Sequence, residues 1–399
     1  MNQKNPLYLD YHATTPVDPR VLETMLPFFT ERFGNPHSKQ HAWGWDARDA
    51  VDAARAQVAA LINASAGEIV FTSGASESNN LAIKGVASSA KDSPKAARHH
   101  VITAATEHKS VLDVCHGLEA DGLDVTVIGV TRDGIIDLEA LSIALTPRTI
   151  LVSVMAANNE IGTVQPIAEI AARAHAVGAL FHTDAAQAAG KIPIDVRAME
   201  IDLLSLTAHK FYGPKGSGAL FVRKLKPRLS LPAQIAGGGQ ENGLRSGTLN
   251  VPGIVGLGRA AEICRLEMAE ESQRLASLRD RLLGGLQARL GDVRVNGSLE
   301  RRLPHNLHAS FDGVEGEALL MALEGIAVST GSACASGSRA PSHVLAAIGA
   351  VGDRAGASIR FGLGRTTTAE EIDFAIDRVV TAVAALRGRQ HVSSHHSRA

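Results

Sequence analysis

Cysteine is scarce in this 399-residue sequence, with three residues, Cys115, Cys264 and Cys334, and no C-x-x-C pair. An odd, sparse set excludes a disulfide framework and fits a reducing compartment. Aromatic residues make up only 4%, too few for a base-stacking surface. Neither sign of charge dominates, because 40 Lys+Arg stand against 41 Asp+Glu. That balance excludes attachment to nucleic acid or a membrane surface by bulk charge. No apolar run is long enough to span a bilayer. Residues 1–10 lack the basic and apolar stretches of a secretory signal. No G-x-x-x-x-G-K-[ST] phosphate loop occurs, and no metal site is expected. What is present, 45% hydrophobic and 20% charged residues, reads as a globular chain. The expectation is a cytoplasmic protein with no membrane contact and no direct nucleic-acid contact.

Short β-branched runs alternate with amphipathic stretches through the middle of the chain. The runs fall at 69–72, 101–104, 125–130, 150–155, 180–183, 203–206 and 219–222, with helical patterns at 78–89, 110–118, 138–145 and 167–177 between them. This alternation predicts an α/β fold whose large domain has a mostly parallel sheet of about seven strands. Near Val251 the character changes. Residues 255–290 read as one long helix or a broken pair. After them come short strands at 293–295, 307–311 and 358–361 and helical stretches at 316–323 and 369–386, a smaller α+β domain. Residues 389–399 are polar and His-rich and are expected to be a disordered tail.

Polar residues cluster where the apolar runs end. Lys210 follows the run at 203–206, beside Thr207 and His209, and a desolvated lysine there is a usable amine nucleophile. The plainer reading is a surface lysine opening a loop. Asp184 and Gln187 close the run at 180–183, at the edge where open α/β sheets bind ligands. Asp184 also reads as an ordinary helix cap. Gly74, Ala75 and Ser76 lead from a strand into a helix, whose first N–H groups suit a phosphate; a Ser-rich cap is the alternative. His108 follows the run at 101–104 and could stack on a planar ring, or simply be solvated at a helix start. Cys334 lies in the Gly/Ser/Ala run 329–338, which reads as an exposed loop suited to a thiolate nucleophile. Cys115 and Cys264 sit in helical patterns as small core residues. Arg360 could clamp a carboxylate or make a surface ion pair. Asn159 sits in a polar cluster after the run at 150–155, and Thr248 in a Gly-rich segment.

Together these make a consistent inventory. An amine, an acid, an amide, an imidazole and a phosphate cup at the strand ends of one sheet are what pyridoxal 5'-phosphate requires. An exposed cysteine and a carboxylate-binding arginine add an amino-acid substrate attacked at sulfur.

The sequence resembles the group I cysteine desulfurases of the iron–sulfur-cluster and nitrogen-fixation type, within the class V aminotransferase family. The resemblance runs nearly end to end. It is carried by Tyr8-Leu-Asp-Tyr-His-Ala-Thr-Thr-Pro16, Phe33-Gly-Asn-Pro36, Phe71-Thr-Ser-Gly-Ala-Ser-Glu-Ser78, Thr106-Glu-His108, Asn158-Asn-Glu160, Thr207-Ala-His-Lys210, Gly237-Gly-Gly-Gln-Glu241, Arg245-Ser-Gly-Thr248 and Thr330-Gly-Ser-Ala-Cys334. It implies the PLP-dependent transferase fold of type I, with a large PLP-binding domain over residues 16–255 and a small domain over residues 1–15 and 256–388.

The resemblance also implies a homodimer that takes L-cysteine, leaves its sulfur as a persulfide on Cys334 and passes it to an acceptor or scaffold protein, with a transient iron–sulfur contact at Cys334. Lys210 would be the Schiff-base lysine, Asp184 the partner of the ring nitrogen, and His108 the stacking ring and proton carrier. Gln187 and Asn159 would contact the ring oxygen and the substrate side. Gly74, Ala75, Ser76, Thr207 and His209 would cup the phosphate, with Thr248 from the other subunit. Arg360 would hold the substrate carboxylate. Departures from the common pattern are His12, Ser76, Gln240 and Asn242. A selenocysteine lyase, another class V enzyme, a desulfurase serving tRNA or DNA modification, and a cofactor-free Cys/His hydrolase are the competing readings.

Overall fold

The computed structural model describes residues 5–91, 99–225, 229, 231–330, 342–350 and 356–396. Cys334 lies outside the described residues. Twelve strands are described, and seven of them form the main sheet. These are β2 (Ile69–Thr72), β3 (His100–Ala104), β4 (Asp124–Ile128), β5 (Thr149–Ser153), β6 (Leu180–Asp184), β7 (Leu203–Thr207) and β8 (Gly218–Val222), in spatial order β2-β8-β7-β6-β5-β3-β4. Only β8 runs against its neighbours; β3, β4, β5, β6 and β7 pair in parallel. Strands β2, β3, β5 and β7 are buried along their whole length. That explains why they read as continuous apolar runs rather than alternating ones.

Two antiparallel pairings with β2 and β7 flank β8, so β2 points the same way as β7. The C-terminal ends of β2, β3, β5, β6 and β7 therefore share one edge of the sheet, the edge where ligands bind in open α/β folds.

A second core surrounds a three-stranded antiparallel sheet, β12 (Ser358–Gly362)-β10 (Asn306–Phe311)-β9 (Val293–Val295). The short strands β1 (Leu7–Tyr8) and β11 (Ile326–Ala327) pair in parallel beside it. One unbroken helix, Val251–Leu290, joins the two cores. Asn250 caps its start by accepting from Gly253 N, and Gly291, at φ +74°, ends it. Its residues up to Cys264 pack in the first core, and those from Leu275 pack in the second. A buried ion cluster lies where the cores meet. Arg365 binds Asp18 (2.6 Å) and Glu271 (2.7 Å), and Lys191 binds Glu271 (3.3 Å).

The end of the chain departs from expectation. The helix Ala369–His396 continues past residue 388, so residues 389–396 form its last turns rather than a disordered tail. The segment contains no proline, and extending a helix already nucleated costs little per residue. Among the described residues, no helix is long and apolar enough to cross a membrane.

Candidate active site

Strand ends and the loops after them enclose a cavity of about 560 Å³. Of the residues singled out from the sequence, Gly74, Ala75, Ser76, His108, Asn159, Asp184, Gln187, Thr207, His209, Lys210 and Arg360 all border it. Thr248 is exposed and does not border it.

At one end, β2 turns through Gly74 into the helix Ala75–Lys91, whose first turn faces the cavity. Gly74 has φ +155°, and a Cβ there would lie 3.5 Å from Thr207 Oγ1. Gly218 on β8 lets this turn approach, since a Cβ on it would fall 2.6 Å from Gly74 Cα. The 17-residue helix offers unsatisfied N–H groups and the positive end of its dipole. Ser76, Thr207 and His209 add polar side chains. Burial, reinforced by Lys210 and Lys215, lowers His209 to about 4, so at neutral pH it offers hydrogen-bonding capacity without charge. Lys215 also borders the cavity and is a contributor the sequence reading missed. Glu77 borders it too, with its charge held by Arg245 at 2.9 Å.

Along the floor, Asp184 is buried at the tip of β6. Its Oδ1 accepts from Ala186 N (2.9 Å) and its Oδ2 from Asn79 Nδ2 (2.7 Å). The same Asn79 nitrogen donates to Ser110 Oγ (2.9 Å), which lies 2.9 Å from His108 Nδ1. His108 is at once a helix cap and a cavity residue. Its Nδ1 accepts from Ser110 N, so the neutral ring carries its proton on Nε2. Beneath Asp184, His182 bridges Ser153 on β5 (2.8 Å) and Ser205 on β7 (3.0 Å). Burial lowers its pKa to about 4.

Lys210 ends a short 3₁₀ turn after β7. Its Nζ donates to His12 O (2.5 Å) and Ala13 O (2.8 Å). Buried Gln187 lies beside them, with Oε1 3.0 Å from His12 Nδ1 and Nε2 donating to His12 O at 3.0 Å.

The far wall is Arg360 on β12, 2% exposed. Nη2 donates to Asp10 Oδ1 (2.8 Å) and Nη1 to Asn159 O (2.9 Å). Its buried Nε has no hydrogen-bond partner among the described residues. Arg360 N donates to Ser329 O (2.7 Å), and Gly362 N to Leu9 O (2.7 Å), which bring residues 9–10 and 329 onto β12. Asp10, His12, Asn79 and Ser110 were not among the candidates, because their sequence neighbourhoods show polar residues without showing which distant groups they face.

Fold and site together define a class. The family model for aminotransferase class-V matches residues 7–374, and the chain belongs to that family. Cysteine desulfurase IscS of Anaeromyxobacter sp. (strain K) is 59% identical over 373 residues, 94% of this chain and 91% of that protein. A solved NIFS-like protein superposes with a TM-score of 0.88 at 38% identity, covering 96% of this chain and all of that one. SspA in complex with cysteine gives 0.77 at 39% identity, covering 90% and 98%.

The enzymes of this family work with pyridoxal 5'-phosphate, and the residues present fit it. The helix N-terminus with Gly74, Ser76, Thr207 and His209 suits a phosphate, Asp184 a basic ring nitrogen, and the Lys210 amine an aldehyde. Arg360 Nε, buried and without a partner among the described residues, suits a carboxylate.

Proposed function

We propose that this chain is a pyridoxal-phosphate-dependent cysteine desulfurase that converts L-cysteine to L-alanine and passes the sulfur to an acceptor protein for iron–sulfur cluster assembly. The observation that carries this reading is one cavity joining a lysine amine, a buried acid and a buried arginine whose Nε–H has no partner among the described residues. The relatives named cysteine desulfurase, and a relative solved with cysteine, support the same substrate.

When bound, the cofactor supplies an electron sink that loosens the bonds at the substrate's α- and β-carbons. The chain's own groups do the rest. Arg360, steadied by Asp10 and Asn159 O, binds and orients the carboxylate. Lys210 holds the cofactor and moves the α-proton. Asp184, clamped by Asn79 and Ala186 N, would pair with the ring nitrogen. His108, with its proton on Nε2, covers the ring and carries protons.

Cys334 takes the sulfur. A carbon–sulfur bond breaks and a sulfur–sulfur bond forms. The electron pair stays with carbon, which takes up a proton to become the alanine methyl group, so no external oxidant is needed. Incubation with L-cysteine is expected to yield alanine and one extra sulfur on the Cys334 peptide by mass spectrometry. Cys334→Ser should lose both while borohydride still fixes the cofactor on Lys210. Continued alanine production by that variant would mean that Cys334 is not the group that attacks the substrate sulfur.

The working unit is a homodimer in the cytoplasm. Support comes from six large apolar side chains exposed within residues 22–45: Leu22, Leu26, Phe29, Phe33, Trp43 and Trp45. Phe33 and Trp43 stack with ring centroids 5.0 Å apart. Thr248 would reach the phosphate only from a second subunit. Trp43→Asp is expected to halve the particle mass in light scattering and to weaken cofactor retention on gel filtration. An unchanged mass would remove this face from the interface.

A further inference from the structure

Four buried side chains form a single line from the second core to the cavity. Arg302 donates through Nη1 to Asn306 Oδ1 (2.6 Å), through Nε to Ser298 O (2.8 Å) and through Nη2 to Asn296 O (2.5 Å). It makes no ion pair among the described residues. Burial pulls it down to about 9, which leaves it protonated at neutral pH. A guanidinium has donors only, so the Asn306 atom facing it must be oxygen. The carbonyl of Glu160 accepts only, and it lies 3.0 Å from the other end of the same amide, which must be nitrogen.

The orientation of Asn306 is thus set from two sides. Its Nδ2 then donates to His12 Nε2, 3.0 Å away. A ring nitrogen that accepts carries no proton, so the proton of neutral His12 sits on Nδ1. His12 Nδ1 therefore donates to Gln187 Oε1 (3.0 Å), and Gln187 Nε2 donates one hydrogen to His12 O (3.0 Å). The atom of Gln187 with a hydrogen left for a group in the cavity is its nitrogen, not its oxygen.

We propose that Arg302, Asn306 and His12 are positioning residues that, together with the His12 carbonyl, hold Gln187 at both ends, so that the amide presents an N–H to the oxygen of the cofactor ring. The proposal deepens the functional reading above and rests on it for the ring oxygen. His12 suits the part. It is 1% exposed, and its ring stacks on that of His305 at 4.3 Å with 24° between planes. Burial first, then the charge of Arg360, keep it neutral, and Lys210 and Lys191 act in the same direction. A neutral ring with one donor and one acceptor suits both neighbours, whereas an imidazolium would set an Nε2–H against the Asn306 Nδ2–H.

The chemical consequence is definite. An N–H donor draws negative charge from the ring oxygen, and that oxygen helps hold the proton on the adjacent cofactor–lysine nitrogen. Without the donor the oxygen holds that proton more tightly, so it leaves at higher pH. In 15N-histidine-labelled holoenzyme, the His12 signal, assigned by its loss in His12→Phe, should show the Nδ1–H tautomer. In Asn306→Asp it should switch to a protonated Nε2, because a carboxylate accepts where the amide donated. His12→Phe keeps a ring against His305 and the residue-12 carbonyl that accepts from Gln187 Nε2, but leaves Gln187 Oε1 without the Nδ1–H that holds it, so the amide is less firmly aimed. It should raise the pH midpoint of the bound cofactor's visible absorbance by about 0.5 unit or more, roughly threefold in the proton-dissociation constant, at unchanged cofactor content.

An Nε2–H or doubly protonated His12 in the unmodified holoenzyme would overturn the proposal, and so would an unmoved midpoint in His12→Phe. A protein that takes up no coloured cofactor would instead overturn the functional reading. The His12 tautomer is read in the unmodified protein either way, even where a variant does not fold.

Discussion

The two walls of the cavity are built differently. The cofactor wall consists of strand ends of one sheet. Asp184, Thr207, His108 and the turn at Gly74 each follow a buried strand of the first core, and their partners come from that core as well. The wall proposed to hold the substrate, called the substrate wall below, is assembled from pieces far apart in the chain. Arg360 is held by Asp10, 350 residues away, and His12 by Asn306, 294 residues away. The first wall is as rigid as a parallel sheet buried on both faces. The second depends on how the two cores sit against each other. Damage to the first should therefore remove chemistry, and damage to the second should loosen binding and orientation.

Lys210 stands where the walls meet, with its amine bonded to carbonyls of the N-terminal segment. On the proposed function, Lys210→Ala removes both the covalent anchor and the proton carrier and is expected to lower kcat by about 10³-fold or more. The check is alanine production together with borohydride trapping, which should no longer fix the cofactor to the chain. A variant that retained a tenth of the activity would mean that the cofactor wall does not carry the chemistry.

The next effect concerns the foundation of that wall. His182 is neutral and buried between two serine hydroxyls, with a native pKa of about 4 lowered mainly by burial, against about 6.5 in an unfolded chain. Its pKa is depressed on folding, so the stability it contributes is full above pH 6.5. It is lost as pH falls towards 4, where the difference reaches about 3 kcal/mol. Urea unfolding of the unmodified protein should show stability falling across that window, and His182→Asn should flatten the fall. An equally steep decline in the variant would assign acid sensitivity to the other buried histidines, such as His308 and His305, which lie on the substrate side.

The same contrast governs what the sequence reveals. The strands of the main sheet are legible because burial on both faces leaves uninterrupted β-branched runs. The cofactor wall is legible because a polar residue at the end of such a run stands out. The helix Ala75–Lys91 begins three residues before its apolar pattern, because its first turn, Ala-Ser-Glu, faces the cavity and so carries no core residues. The helix Ala42–Leu61 gave little signal, since alanines supply much of its buried face (Ala47, Ala54, Ala59). Asp10, His12 and Asn306 were legible as polar residues but not as partners. Nothing local to residue 10 says that it faces residue 360, and only packing of the two cores brings them together. Cys334 is singled out by its Ser/Gly/Ala surroundings and lies outside the described residues.

The smallest effect is the most discriminating. Asp10 touches Arg360 at 2.8 Å and also accepts from Ser329 Oγ at 3.2 Å, while Arg360 Nε has no hydrogen-bond partner among the described residues. Asp10→Asn keeps the shape and an oxygen acceptor but removes the negative charge that helps aim the guanidinium. Two consequences oppose each other. An unneutralised Arg360 attracts a substrate carboxylate more strongly, yet a guanidinium with weaker restraint presents its N–H groups less accurately. Arg360 is nearly fully buried and cannot recover the lost interaction from water, so orientation should dominate. The expected result is a KM for cysteine raised about tenfold, with kcat within a factor of about three. A fall in kcat at unchanged KM would mean that Asp10 acts on the reacting centre, and the division between the two walls would have to be redrawn to put residue 10 on the cofactor side.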